Sequence, residues 1–401
     1  MSYRIAFFAD SHIGYKTKVK SNDRGINIRV QDGYDAFRQV ISQILKSHQE
    51  EPIDAVVIGG DLFHTSRPSM RDITTVQFFL RKLAEQGIKV YILAGNHDAT
   101  DIRSELAAVA PINDPDKGIF AYIDPYTQVE VADGVLLHIV SHHGLNGEKA
   151  PVVTPRDGFL NIFSTHGAAL DPKNKELMRC ADSPREQFIP VEMIIDESFV
   201  AKLLGHYHSR YPVGGEIMNT WYSGSLVRRG FSDAPGARGW ILVTVADNGS
   251  ATVTANNIAQ RPQYDLEVID AETLTSSDLM NLLEENLKGT TETDAEPIVR
   301  QRIINASRGV KEGLDRDRIK ELTSHMLVWQ LEFQRNLVKK EEQKVNASLS
   351  KKHDVNILTS YKDWVSDVAK TVPEEYRDVV VKDAENYLRE ARDISLEGHA
   401  H

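Results

Sequence analysis

Seven short apolar runs recur along the first part of the chain: RIAFFA (4–9), AVVIGG (55–60), KVYILAG (89–95), VLLHIVS (135–141), LNIFST (160–165), VAKLLG (200–205) and WILVTV (240–245). Each has the length and the β-branched content of a buried strand. Most are separated by helical or loop segments such as DAFRQVISQILKSH (35–48) and TTVQFFLRKLAEQG (74–87). Strands alternating with helices predict an α/β fold, because each sheet must be covered by helices.

The pattern changes near residue 264. A smaller strand–helix–strand–helix–strand succession follows, YDLEVID, SSDLMNLLEENL, IVRQRI, DRDRIKELTSHM and LVWQLEF, and it predicts a two-layer α+β unit over 264–337. A charged linker, KKEEQKVNASLSKKHD, leads into a tail (338–401) with two apolar stripes at helical spacing. Ile357, Tyr361, Trp364, Val365 and Val368 form one, and Val380, Ala384, Tyr387, Leu388 and Ala391 the other, with Pro373 just inside the second helix. The tail is expected to fold as a helical hairpin.

Composition excludes several classes. With 401 residues and 41% apolar content the chain can bury full cores, and two or three domains are expected. Cys180 is the single cysteine, so an intrachain disulfide is impossible and any metal site must use His, Asp, Glu or Asn, as suits a reducing cytoplasm. No apolar run approaches the roughly 20 residues of a membrane span, and MSYRIAFFADSH lacks the features of a secretory leader. A cytoplasmic protein with no membrane association is expected. The formal charge of −11, from 47 basic and 58 acidic residues, argues against holding nucleic acid by bulk electrostatics. Local basic residues or a partner would be needed.

The polar residues gather where the strands end. Asp10 and His12 follow RIAFFA, Asp61 and His64 follow AVVIGG, and Asn96, His97 and Asp98 follow KVYILAG; His166 follows LNIFST, and His206 and His208 follow VAKLLG. Loops past the carboxyl ends of strands form the ligand crevice of an α/β sheet, so five loops deliver nitrogen and oxygen ligands to one rim. Asp10, Asp61, Asn96, His12, His166, His206 and His208 are more donors than one tetrahedral ion uses. They suit two divalent ions roughly 3.5–4 Å apart, the arrangement that hydrolyses phosphoesters by activating a water and neutralising charge on the phosphoryl oxygens. A histidine off the metal can protonate the leaving alkoxide.

The ordered motifs ADSHIG, GGDLFHTSRPS, LAGNHD, STHG, GHYHSR and YSGS resemble the calcineurin-like metallophosphoesterase superfamily, and more narrowly its SbcD-type DNA repair nucleases. The narrower resemblance rests on DLFHTSRPS, on the insert YKTKVKSNDRGINIRVQDGYDAF, and on the α+β unit and tail. It implies a four-layer sandwich over 1–263, with two β-sheets flanked by helices, an α+β capping domain over 264–337 that contacts DNA, and C-terminal helices that bind a partner. Under it Asp10, His12 and His208 hold one ion, Asn96, His166 and His206 the other, and Asp61 bridges them. His97 would protonate the leaving group and His64 orient the scissile phosphate. The implied ions are Mn2+, although the ligand types also admit iron and zinc. The implied activity is 3′→5′ exonuclease on duplex ends and endonuclease on single strands or hairpins. The implied partners are DNA, an SMC-like ABC ATPase subunit of the SbcC type, and a second copy of the chain.

Other residues read more plainly. His142 and His143 in SHHG are expected to serve a loop, because STHG occupies the motif's position. Arg228 and Arg229, with Lys16, Lys18, Lys20 and Arg24, form either a phosphate-tracking patch or a solvated basic loop. A small-molecule phosphodiesterase or phosphatase would use the same ligands but has no evident need of the α+β unit and tail. A scaffold without catalysis is disfavoured by the full ligand set.

Overall fold

A computed structural model describes residues 2–99, 107–147, 150–169, 187–214, 219–290 and 295–334. The expected helical tail and Cys180 lie outside the described residues, as do the last positions of the expected α+β unit. One compact unit spans Met1–Phe333.

Among the described residues two six-stranded sheets form. The first contains β1 (Ser2–Phe8), β2 (Ala55–Ile58), β3 (Lys89–Leu93) and β4 (Ile119–Tyr122); the second begins with β5 (Tyr126–Ala132), β6 (Val135–Val140), β7 (Leu160–His166), β8 (Phe199–Gly205), β9 (Tyr211–Pro212) and β10 (Thr220–Tyr222). The chain then returns to the first sheet with β11 (Gly239–Ala246) and β12 (Ala251–Asn257), giving the order β12-β11-β1-β2-β3-β4 beside β5-β6-β7-β8-β10-β9. Strands β1 to β4 run parallel, as do β6, β7, β8 and β10, with Phe7 opposite Val57 and Thr165 opposite Leu204. Parallel neighbours bring several carboxyl-terminal ends to the same edge.

The period-two alternation of β1 assigns its faces. Tyr3, Ile5 and Phe7 join Val57, Tyr91, Leu137, Ile139, Ile162 and Leu203 in the core between the sheets. Ala6 and Phe8 face the other way, toward helices α1 (Ile28–Glu50) and α2 (Met70–Ala84). Helix α1 answers with Phe37, Val40, Ile41 and Ile44 on one stripe, and α2 with Val76, Leu80 and Leu83. Helices α3 (His142–Leu145) and α4 (Val191–Ile195) are short; Met193 and Ile194 of α4 pack with Val140, Phe163, Leu204 and Tyr222 of the second sheet. The central strands are thus covered on both faces, which is why they read as continuous apolar runs, while β5 and β12 at the sheet edges stay partly exposed.

A third sheet follows. Strand β15 (Ile298–Ile304) pairs in parallel with β13 (Gln263–Asp265) and β14 (Ile269–Asp270), and also pairs with β16 (Val328–Gln334). The run YDLEVID, expected as one strand, is therefore two short ones. Helices α5 (Ser276–Leu287), α6 (Arg308–Glu312) and α7 (Arg316–Leu322) accompany this sheet, and Leu279 and Leu283 bury against Ile303.

Helix α2 starts right after the HTSRPS stretch, and its first turn explains that sequence. Ser69 caps it by accepting the Asp72 N–H at 3.2 Å, while Asp72 accepts the Ser69 N–H at 2.9 Å and the Tyr34 hydroxyl of α1 at 2.7 Å. Replacing Ser69 by Ala removes one half of this reciprocal cap and is expected to cost about 1 kcal/mol, read as a lowered midpoint in urea denaturation.

Candidate metal centre

The carboxyl ends of β1, β2 and β3 meet those of β7 and β8. Asp10 and His12 lie past β1, Asp61 and His64 past β2, Asn96 and His97 past β3, and His206 and His208 past β8, while His166 is the last residue of β7. The loops are stitched through backbone: Asp10 N–H donates to the Gly60 carbonyl at 3.0 Å and His12 N–H to that of Asp61 at 2.9 Å. Asp10, His12, Asp61 and His206 all adopt positive φ, at 51°, 43°, 49° and 111°. Such conformations cost non-glycine residues about 1–3 kcal/mol each and cluster at functional sites, because they turn side chains where a regular strand cannot.

The site's donors come within reach of one another. His12 Nε2 is 3.2 Å from His208 Nε2, and His166 Nε2 is 3.0 Å from Asn96 Oδ1, which also lies 3.4 Å from His206 Nδ1. Asp61 Oδ2 is 3.7 Å from His12 Nε2 and 3.3 Å from His166 Nε2. Asp10 Oδ1 is 4.0 Å from Nε2 of each of His12, His166 and His208. Three donor groups result: Asp10, His12 and His208; Asp10, Asp61 and His166; and His12, His64 and His97. The six carboxylate and imidazole ligand candidates are all buried, whereas Asn96, His64 and His97 are partly exposed toward the pocket mouth.

Proton positions follow from the partners. His166 Nδ1 donates to the Gly59 carbonyl at 2.8 Å, and His208 Nδ1 donates to Asp233 Oδ1 at 3.0 Å, a closer contact than Arg229 Nη2 at 3.4 Å. Both rings therefore aim Nε2 at the buried oxygens of the rim. Carboxylates and an amide oxygen gathered in a buried rim call for positive partners, and an imidazole whose second nitrogen is tied to a carbonyl or carboxylate is the pattern of a metal-ligating histidine. The residues fit divalent metal ions.

Against its burial, Asp61, Asp10 and the Gly59 hydrogen bond raise His166 to about 10, so a proton competes with a cation for its Nε2. Burial, then Arg229 and the neighbouring imidazoles, hold His12 well below the ordinary histidine value, so it offers a lone pair. Burial pushes Asp10 up, against the pull of His166 and His208, and Asp10 accepts the His206 N–H at 3.1 and 3.0 Å. Burial also opposes ionisation of Asp61, but His166 and His97 outweigh it and hold the carboxyl below its usual range. Asp233 is held at about 2, since His208 and Arg229 overcome its burial.

A family model described as calcineurin-like phosphoesterase matches residues 3–237, well over half the chain and every residue of this rim. The chain belongs to the calcineurin-like phosphoesterase family. Its two helix-flanked sheets are the α/β fold of that family. Over 409 aligned positions the chain is 22% identical to the DNA double-strand break repair protein Mre11 of Sulfurisphaera tokodaii, covering 96% of this chain and 95% of that protein. It is 35% identical over 106 residues to the protein of the same name from Methanocaldococcus jannaschii, 26% of each chain. The match to that of Haloferax volcanii is 34% over 97 residues, 24% of this chain and 20% of the relative. The last two matches span about a quarter of the relatives' own length or less.

The remaining sequence candidates sort by position. His64 and His97 stack with centroids 5.2 Å apart, and His97 lies 4.7 Å from the His12 ring. His97 Nδ1 donates to the His64 carbonyl at 2.6 Å, leaving Nε2 as the ring's basic nitrogen. His142 and His143 open α3 and belong to none of the three donor groups. Lys16, Lys18, Lys20 and Arg24 are exposed, and Lys20 pairs with Glu296. Arg228 is half-buried. Arg229 departs from the reading of a solvated basic loop: at 5% exposure its guanidinium is enclosed beside His208.

Two carboxylates matter that received no role from sequence. Asp98 accepts the N–H groups of Leu62 at 3.1 Å, Phe63 at 2.9 Å and Gly95 at 3.1 Å, clamping the β2 and β3 loops together. Its place in GNHD was the available signal. Asp233, in RRGFSDAPG, carried none. Burial and the Asp61 charge raise Asp98 to about 7 against those three donors. In Asp98→Asn the amide must point a donor at a donor, so a loss of roughly 1–3 kcal/mol in chemical denaturation is expected. Gly95 is required for close approach: a Cβ there would lie 2.2 Å from Asp61 Oδ1. Gly95→Ala should displace Asp61 and weaken Mn2+ binding about tenfold or more in calorimetric titration.

Proposed function

We propose that this phosphoesterase is a two-metal DNA nuclease of double-strand break repair, acting 3′→5′ on duplex ends and endonucleolytically on single strands or hairpins. The observation that carries this proposal is the seven-ligand rim, in which Asp61 lies between the His12 and His166 nitrogens at 3.7 and 3.3 Å. The end-to-end similarity to a double-strand break repair protein supports DNA as the substrate.

In this proposal Asp10, His12 and His208 hold one ion, Asn96, His166 and His206 the second, and Asp61 both, with Mn2+ the expected metal. When bound, the ions activate water and neutralise charge on the phosphoryl oxygens. The chain supplies the rest. Asp61 and Asp10 are each held in place by a backbone N–H, from His97 at 2.9 Å and His206 at 3.0 Å. His97, once it also carries a proton on Nε2, delivers that proton to the leaving oxygen, since Nδ1–H is committed to the His64 carbonyl. His64, stacked on it, orients the scissile phosphate. Arg228, Lys16 and Lys18 contact the DNA backbone, with Arg229 as a fixed cation behind the rim.

The proposal divides the chain into a nuclease domain (1–263), a capping domain (264–337) that limits access of DNA, and a tail (338–401) that docks on an SMC-like ABC ATPase, with two copies of the chain pairing through the nuclease domain. No helix among the described residues is long and apolar enough to cross a membrane.

The test is digestion of an end-labelled linear duplex with Mn2+, resolved on a denaturing gel. Stepwise loss from the 3′ end, abolished by EDTA and reduced about 10²–10⁴-fold in His97→Ala, is the expected result. Intact duplex from protein that hydrolyses a chromogenic phosphodiester would point either to a missing ATPase partner or to a small-molecule substrate, and hydrolysis of neither would overturn the assignment.

A further inference from the structure

The carboxylate that orients His208 sits on a loop that the α+β unit grips from its other side. Asp233 Oδ1 takes the His208 Nδ1 proton at 3.0 Å, Oδ2 accepts the Arg229 N–H at 2.9 Å, and the Asp233 carbonyl accepts Arg228 Nε at 3.2 Å. Two residues earlier, Phe231 has two guanidiniums near its ring, Arg228 at 5.5 Å and Arg300 at 4.5 Å from the centroid. Arg300 belongs to β15 and is aimed by a fork of bonds to Asp265, at 3.0 and 2.7 Å. Arg228 also donates to the Gln263 carbonyl of β13 at 3.3 Å, and Gln263 Nε2 returns a bond to the Arg228 carbonyl at 2.8 Å.

A second bracket runs alongside. Asp32 of α1 accepts two bonds from Arg261 at 2.8 Å and one from Arg29 at 2.7 Å, and Arg29 Nη2 reaches the same Arg228 carbonyl at 2.6 Å. An open cleft of about 190 Å³ runs along this joint, lined by Arg29, Asp32, Val227, Arg228, Arg261 and Gln263.

We propose that Asp233 is a positioning residue for His208, and that the Arg300–Phe231 contact makes the placement of the α+β unit control how tightly the ion at His208 is held. This rests on His208 being a metal ligand, as proposed above. The physical link is short: the β15 guanidinium holds Phe231, Phe231 sets the course of the loop to Asp233, and Asp233 fixes the tautomer and tilt of the imidazole. Any binding event that moves the α+β unit then changes ion affinity at one side of the rim, and ion binding there in turn steadies the unit.

The experiment is calorimetric titration of the full chain with Mn2+ alone, with no nucleic acid present. Wild type should bind two ions. Asp233→Asn should weaken one of them about tenfold or more. Arg300→Ala and Phe231→Leu should weaken the same ion about three- to tenfold while leaving the other unchanged, and Phe231→Tyr, which keeps the ring face, should restore it. Arg300→Gln, which removes the cation but keeps a polar chain, serves where the alanine variant fails to fold. Wild-type Mn2+ affinity at both ions in Arg300→Ala or Arg300→Gln and in Phe231→Leu would overturn the inference. Absence of Mn2+ binding by the wild type would instead overturn the metal centre beneath it.

Discussion

Two carboxylates, Asp10 and Asp61, stand buried in one rim with His12, His166 and His208, the last two tied through their other ring nitrogen to Gly59 and Asp233. Buried carboxylates are costly without positive partners, and here the raised His166 and the enclosed Arg229 stand beside a donor set that also fits divalent cations. Much of the surrounding architecture serves that requirement. The parallel strands bring the ligands to one edge, and Asp98 clamps two of the loops; Gly59 and Asp233 take the outward ring protons of His166 and His208.

The requirement also has a conformational cost. Four rim residues sit at positive φ, and glycines admit the closest approaches. At Gly205 a side chain would meet the Gly59 carbonyl at 2.0 Å and His166 Nδ1 at 2.6 Å. The two sheets and their helices must therefore hold strained loops that would not keep this shape alone. The large cores on both faces of the first sheet supply the rigidity, and the proposed catalytic pair, His64 and His97, occupies the less buried lip where a substrate can enter.

Much of this was legible in the sequence. Asp and His at strand ends, GNHD and GHYH were legible as loops of one candidate site, because five such clusters recur in order at the ends of apolar runs, whereas each alone has a plain structural reading. Helix α5 was legible as the run SSDLMNLLEENL, which the structure folds as Ser276–Leu287. Less legible were the division of YDLEVID into two strands, the enclosure of Arg229, and the short β9 and β10. These depend on contacts between separate segments: the Arg229 guanidinium is enclosed beside His208 of another loop, and β15 splits YDLEVID by pairing with both of its parts.

By itself, then, the sequence determined the α/β class, the ligand types and the order in which strand ends would present them, since apolar periodicity and ligand chemistry are local properties. The tertiary structure alone decided which nitrogen of each imidazole faces inward, how the carboxylates sit between them, and which second carboxylate steadies His208. Those are matters of distance between segments as much as 196 residues apart, as His12 and His208 are. Only the packing of two sheets against a shared core brings such segments within hydrogen-bonding reach.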